Sequence, residues 1–279
     1  MSDKLQIIEE LKEISLDVRK DIVRLASIKT IHIGGDLSVV DILTVLWQAI
    51  IKYDASNPHW EGRDRFFLSK GHCSAVVAFN QAYRGFFDKE DIFKEYATDN
   101  GRFSMSPCCH VNPYYESSAT GSLGQGLPIA VGVAQALKMK NHFNNKVYVV
   151  IGDGELQEGS NWEAIMLAGQ LQLDNLIVIV DNNQLQFDGE TDKIVSVQNV
   201  SKRFESFGWL GYEVDGHNIT EIYEVLLKVQ ESKRPVVIDA HTVKGKGVEY
   251  MENNYIWHAG RISENDLEST LAALSRRYE

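Results

Sequence analysis

The chain has 279 residues, 44% of them hydrophobic and 24% charged, an ordinary globular composition with enough apolar mass for one large domain or two small ones. Its 28 basic and 39 acidic residues leave a net charge of −11 and a pI near 5.2, which argues against a nucleic-acid partner, since that needs a basic face to displace counterions from phosphates. The longest purely aliphatic run near the middle, Leu176 to Val180, falls far short of the roughly 20 residues of a spanning helix, and the N-terminus has no apolar signal core, so the expectation is a cytoplasmic protein with no membrane partner.

In chain order, Leu11, Ile14, Val18, Ile22 and Leu25 follow spacings of three and four and predict a long opening helix. Ser38 with Asp41 three residues on reads as a capping box starting a helix that carries Leu43, Leu46 and Trp47. Arg65 to Ser69 reads as a strand ending at Gly71-His72, followed by helices over 72–84 and 89–97. Ser122 with Gln125 reads as another helix cap. From Val147 onward the alternation is cleaner. Strands are expected at Val147–Ile151, Leu176–Asp181, 211–214 and Pro235–Ala240, with helices over Asn161–Gln170, 198–207 and 219–231. Continuous apolar strands alternating with helices mean a parallel sheet flanked by helices on both faces, so the fold class is α/β. With five prolines and no Ser/Pro-rich tract, repeat or linker, residues 1–279 read as a single domain with helical extensions at both ends. The three cysteines, two of them adjacent at Cys108 and Cys109, form neither a disulfide framework nor a Cys-x-x-Cys knuckle.

Gly152-Asp153-Gly154 directly follows the strand Val147–Ile151. Alone, such a triplet is an ordinary turn. Here it opens a β-α-β unit of roughly 30 residues, which passes through a helix capped by Ser160 and Glu163 and ends at Asp181-Asn182-Asn183. A right-handed crossover puts Asp153 and Asn183 at the carboxyl ends of two parallel strands, where open α/β sheets bind ligands. An Asp carboxylate, an Asn amide oxygen and a nearby loop carbonyl suit Mg2+, a hard cation that takes one or two protein carboxylates and fills its octahedron with phosphate and water. Free amides at Gly154 and the following helix start would receive diphosphate oxygens, and metal plus amides can override the acidic global charge. The pattern predicts metal–diphosphate binding. No Gly-x-x-x-x-Gly-Lys-Ser/Thr loop and no Gly-x-Gly-x-x-Gly after a strand supports an ordinary nucleotide site.

Gly-Asp-Gly followed by Asn-Asn at the next strand tip resembles the thiamine diphosphate signature. The run Gly152-Asp153-Gly154-Glu155-Leu156-Gln157-Glu158-Gly159, with Trp162-Glu163-Ala164 and Ala168-Gly169, resembles transketolases in particular. Further blocks match in family order: Ile31-His32-Ile33-Gly34-Gly35, Leu68-Ser69-Lys70-Gly71-His72, Thr120 to Gly126, Thr242 to Gly247 and His258-Ala259-Gly260. The resemblance implies a thiamin-diphosphate-binding fold of the transketolase N-terminal type. It implies thiamine diphosphate as cofactor, with Mg2+ (or Ca2+ or Mn2+ in its place) held by Asp153, Asn183 and the Leu185 carbonyl. Gly154 and Asn183 would touch the diphosphate, with Lys244 and His258 near it. Gly121 and Leu123 would meet the aminopyrimidine end, and His72, Ser122, Gly152 and Glu155 complete the cofactor-contacting set. His32, His72, His110 and His258 correspond to the family's active-site histidines, apt proton donors and acceptors for ketol transfer between sugars. Two blocks depart from the pattern: Ile31 and Ile33 flank His32 where a small residue and a proline are usual, and Val111-Asn112 follow His110 where the family has proline and an acid.

Only the N-terminal half of a full-length transketolase is matched, without the pyrimidine-binding domain. The resemblance therefore implies a split enzyme, in which a separate C-terminal subunit of about 300 residues completes an α2β2 heterotetramer acting on sugar phosphates. Two alternatives stand beside this: the alpha subunit of a 2-oxo acid dehydrogenase, which shares Gly-Asp-Gly and Asn-Asn, and a non-catalytic subunit retaining the fold. Of the other histidines, His59 and His142 read as surface residues, His217 as part of a strand-to-helix turn capped by Asn218, and His241 as a strand-end residue beside the Lys244 loop.

Overall fold

Tyr148, Val150, Ile177, Ile179, Val236 and Ile238 enter one core, while their neighbours Val147, Val149, Ile151, Val178, Val180 and Val237 enter another. Successive side chains of a strand point to opposite faces, so strands apolar at every position need both faces covered. The computed structural model describes residues 2–116 and 120–278.

Helices α1 (Ser2–Ile28) and α2 (Ile33–Val45) open the chain, and a π-helical turn at Leu46–Ile50 extends α2. Strand β1 (Arg65–Leu68) runs through a short turn into α3 (Ser74–Tyr83), α4 (Lys89–Glu95) and, after a long loop, α5 (Gly126–Met139). Next come β2 (Val147–Gly152), α6 (Gly159–Gln170) and β3 (Leu176–Asn182). A small hairpin, β4 (Leu185–Gln186) with β5 (Gly189–Glu190), precedes α7 (Thr191–Ile194), α8 (Val200–Glu205), β6 (Leu210–Asp215), α9 (Ile219–Lys228), β7 (Val236–His241) and α10 (Glu264–Tyr278). The main sheet has five strands, all parallel, in the order β1-β2-β3-β7-β6. Residues of α1, α2, α3 and α9 cover one face, and those of α5, α6 and α8 cover the other. The α/β expectation holds, strand for strand in the main sheet.

The helix caps expected at Ser38, Ser122 and Ser160 do not. Helix α2 begins at Ile33, not Ser38, and its first turn contains Gly34 and Gly35, poor helix formers. Tertiary packing overrides propensity here: a Cβ on Gly34 would stand 2.4 Å from the Trp257 carbonyl oxygen. Ser38 sits inside the helix and donates to Asp181 Oδ2 at 2.6 Å, while Asp41 pairs with Arg19 of α1. From Ile33 to Ile50 the helix is long and apolar enough to cross a membrane, yet 83% of it is buried inside the fold, as a helix apolar all round should be. Helix α5 starts after Gln125 with no side-chain cap, and Ser122 is exposed outside it. The nearby Gly124 amide is instead taken by Glu155 Oε1 at 2.9 Å. Ser160 caps nothing in α6, which starts at Gly159; its hydroxyl donates to the Gly124 carbonyl at 2.7 Å.

Candidate active site

Four strand tips converge at the carboxyl edge of the sheet. Past β1 come Lys70 and His72, past β2 Asp153, past β3 Asn183, and past β7 Thr242 and Lys244. Asp181, near the end of β3, ties them together. It receives the Lys70 ammonium, the Thr242 hydroxyl, Ser38 Oγ at 2.6 Å and Asn183 Nδ2 at 3.2 Å. Burial alone would raise its carboxyl, but Lys70 and these donors hold it below the ordinary carboxylate value. Sequence reasoning placed Asp181 only as a strand end and missed this role.

The cavity above that knot has a volume of about 360 Å³ and is lined by His32, His72, Gly121, Leu123, Gly152, Asp153, Gly154, Glu155, Asn183, Leu185, Lys244 and His258. Asp153, Asn183 and Leu185 bring oxygen atoms to it. Burial, then the charge of Asp181, pushes the Asp153 carboxyl up to about 6; Thr191 Oγ1 donates to it at 2.9 Å. Asn183 Oδ1 accepts from the Leu185 amide at 3.1 Å, and the Leu185 carbonyl accepts from Lys244 Nζ at 3.1 Å. Burial, reinforced by Lys70, pulls Lys244 down to about 8. Each of these carbonyl-type oxygens keeps a second lone pair.

Three imidazoles in a triangle line the same cavity. The ring centroids of His32 and His72 are 5.2 Å apart, those of His32 and His258 5.5 Å, and those of His72 and His258 5.2 Å. His32 stands at the N-terminus of α2, and an isolated bridge between Ile31 and Gly260 brings the His258 segment beside it. Burial, then the neighbouring lysines and histidines, lowers all three; His258 reaches about 3 and His72 falls well below its usual value. They are neutral bases at physiological pH. Nδ1 of His32 and of His258 are buried without a protein partner, and a buried polar atom left in that state calls for a ligand.

Other expected site residues fall differently. Glu155 lines the cavity, but its carboxylate is taken by the Ser69 hydroxyl and by the amides of Gly124 at 2.9 Å and Gly152 at 3.3 Å; it shapes the loops instead of offering free oxygens. Ser122 is not among the lining residues, and His110 is exposed on its loop, outside the cavity. Lys70, Gln157 and Glu158 also line the cavity without having been expected in the site, and so do Gln186 and Phe187, the latter 67% exposed with its ring edge-on to His258 at 5.4 Å. For Gln186 and Phe187, the place directly after Leu185 was the available signal.

Among the described residues, no group of three or more His, Cys, Asp or Glu side chains is arranged to hold a metal ion. A single carboxylate with an amide oxygen and a carbonyl is instead the donor set of a cation that also takes ligand phosphate. Lysines beside it, glycines at the strand tip and unpartnered imidazole nitrogens fit a diphosphate-bearing cofactor.

Comparison with known proteins agrees with this geometry. At 36% identity, the chain is similar to one of the subunits of the apulose-4-phosphate transketolase of Phocaeicola vulgatus, over 97% of this chain and 96% of that one. It is 34% identical to the SqwG subunit of the 6-deoxy-6-sulfo-D-fructose transketolase of a Clostridium strain, over 95% and 98%. The crystal structure of Campylobacter jejuni transketolase superposes with a TM-score of 0.84 at 31% identity, covering 98% of this chain but 46% of that one. Residues 7–277 match the family described as transketolase, thiamine diphosphate binding domain, and with strand tips, oxygen ligands and histidines arranged as above, the chain belongs to that family.

Proposed function

We propose that this chain is the diphosphate-anchoring subunit of a two-component, Mg2+-dependent transketolase that moves a two-carbon ketol unit from a ketose to an aldose. One observation carries the reading: three neutral imidazoles line one cavity together with Asp153, Asn183 and Leu185. The oxygen set would hold Mg2+, with Ca2+ or Mn2+ as substitutes. Lys244 and the amides around Gly154 would hold the diphosphate, and Gly121 and Leu123 the pyrimidine end. When bound, thiamine diphosphate supplies the electron sink for breaking and making the carbon–carbon bond. His32, His72 and His258 would accept and return protons at the sugar hydroxyl and carbonyl oxygens, a task suited to bases that stay uncharged at neutral pH. His110 has no part in this scheme.

A second polypeptide completes the proposal. The chain is as long as the two subunit relatives but spans less than half of the single-chain transketolase. Leu123 and Phe187, both exposed at the cavity, offer an apolar rim to such a partner, and an α2β2 assembly would close the symmetry. The relatives' names point to ketoses bearing a phosphate or sulfo group, so an anionic sugar is the proposed substrate class. The test is reconstitution with the partner subunit. Neither chain alone should transfer a ketol unit from a ketose phosphate to an aldose; the pair should, EDTA should abolish the transfer, and Mg2+ should restore it. Pyruvate-dependent reduction of an artificial acceptor by the pair, or failure of the pair to bind the cofactor in calorimetry, would overturn the reading.

A further inference from the structure

Outside the cavity, His217 occupies the turn between β6 and α9. Asn218 caps α9 as expected, accepting from the amides of Thr220 at 3.1 Å and Glu221 at 3.3 Å. The His217 imidazole, only 10% exposed, makes two bonds of its own. Nδ1 lies 2.9 Å from Oδ2 of Asp41 on α2, and Nε2 receives the Val243 amide at 2.8 Å. A backbone N–H can only donate, so Nε2 must be bare and the ring proton must sit on Nδ1, aimed at Asp41; one neutral tautomer serves both bonds. Asp41 is itself locked by Arg19 at 2.8 and 2.5 Å and by Ser15 Oγ at 2.5 Å. Burial would raise its carboxyl, but Arg19 and His217 hold it well below the usual carboxylate range. Behind Arg19, the Tyr278 ring of α10 lies 5.1 Å from the guanidinium.

This chain of contacts ends one residue before Lys244. The Val243 peptide is gripped from both ends, its amide by His217 and its carbonyl by the Lys246 amide at 3.1 Å. Gly216 packs so closely that a Cβ there would stand 2.4 Å from Thr242 Cγ2. We propose that His217 is a positioning residue: through the Val243 amide it sets the backbone that aims Lys244 into the cavity. The assignment rests on the diphosphate role of Lys244 proposed above.

Two variants separate the two bonds of the ring. His217→Asn keeps a donor near the Nδ1 position and removes the acceptor for Val243; His217→Gln keeps an acceptor near the Nε2 position and gives up the bond to Asp41. The measurements are amide hydrogen exchange at Val243, the urea midpoint, and calorimetric affinity for Mg2+ with thiamine diphosphate on the full chain with its partner, with Lys244→Met as reference. In His217→Asn, Val243 should exchange about tenfold faster relative to β7 amides, and affinity should fall about five- to tenfold, as loss of one hydrogen bond implies. Its urea midpoint should stay near wild type, whereas His217→Gln should lose stability and keep affinity. Unchanged Val243 exchange and affinity in His217→Asn would overturn the proposal, as would affinity losses that merely track stability in both variants. Wild-type affinity in Lys244→Met would instead remove the diphosphate role of Lys244, while Val243 exchange still judges the grip of His217 on the loop.

Discussion

Asp153 and His258 line the same cavity in opposite states of need. The Asp153 carboxyl, pushed up to about 6 by burial and by Asp181, is an ionised group at neutral pH that lacks a compensating cation among its hydrogen-bond partners. Asp153→Asn should therefore leave the unliganded fold at least as stable in a thermal melt, while Mg2+-dependent cofactor binding disappears from calorimetry. Retained binding would remove Asp153 from the ligand set. His258 is a neutral base with one buried nitrogen unpartnered. His258→Ala should lower turnover of the reconstituted enzyme about 10²–10⁴-fold, the usual worth of a proton-transfer group, with cofactor affinity within a few-fold of wild type. A proportionate loss of binding and turnover would instead make it a binding residue only.

At the scale of elements, the N-terminus of α2 is the most constrained joint. Gly34 abuts the Trp257 carbonyl at what would be 2.4 Å from a Cβ, so Gly34→Ala must push the 255–258 turn outward. The expected cost is about 1–3 kcal/mol in chemical denaturation, with lowered turnover of the reconstituted enzyme because His258 moves with that turn; an unchanged midpoint would mean the turn gives way freely. The same joint explains what could be read in advance. Strands Val147–Gly152, Leu176–Asn182 and Val236–His241 were legible because a doubly covered strand leaves an unbroken apolar run. Asp153 and Asn183 were legible because the crossover fixes their relation within a single β-α-β unit. The capping boxes at Ser38, Ser122 and Ser160 failed because tertiary partners supply the bonds: Asp181 for Ser38, the Gly124 carbonyl for Ser160, and Glu155 for the Gly124 amide. The bonds made by Asp181, Lys70 and His217 escaped notice for a related reason. Lys70 meets Asp181 across 111 residues, and His217 meets Asp41 across 176, separations that local pattern does not encode. The hairpin at Leu185–Glu190 has two residues per strand, too few for alternation to register.

Across the whole molecule, charge burial sets the response to acid. Unfolded histidines take up protons near pH 6.5, whereas the folded chain keeps His258 neutral down to about 3 and also lowers His32 and His72. Where the unfolded state binds more protons, stability rises with pH. These histidines therefore withdraw stability as pH falls from about 6.5 toward 3. Lys244, protonated below about 8 when folded and below 10.5 when not, acts with the same sign at the alkaline end, so stability should climb between those values. Urea midpoints measured across pH would check both, and His258→Gln should flatten the acid slope; an unaltered slope would exclude the imidazole as its source. The Asp181 knot has a consequence of another kind. It gathers Lys70, Ser38 and Thr242 from segments 111, 143 and 61 residues away, and contacts of such long separation form late because so much loop entropy must be lost first. A chain released past β3 but not yet to the end of β7 therefore has Ser38, Lys70 and Asn183 available to Asp181 but still lacks Thr242. A nascent chain cut short before β7 also lacks Lys244 and His258, so it should forfeit the imidazole triangle together with the lysine.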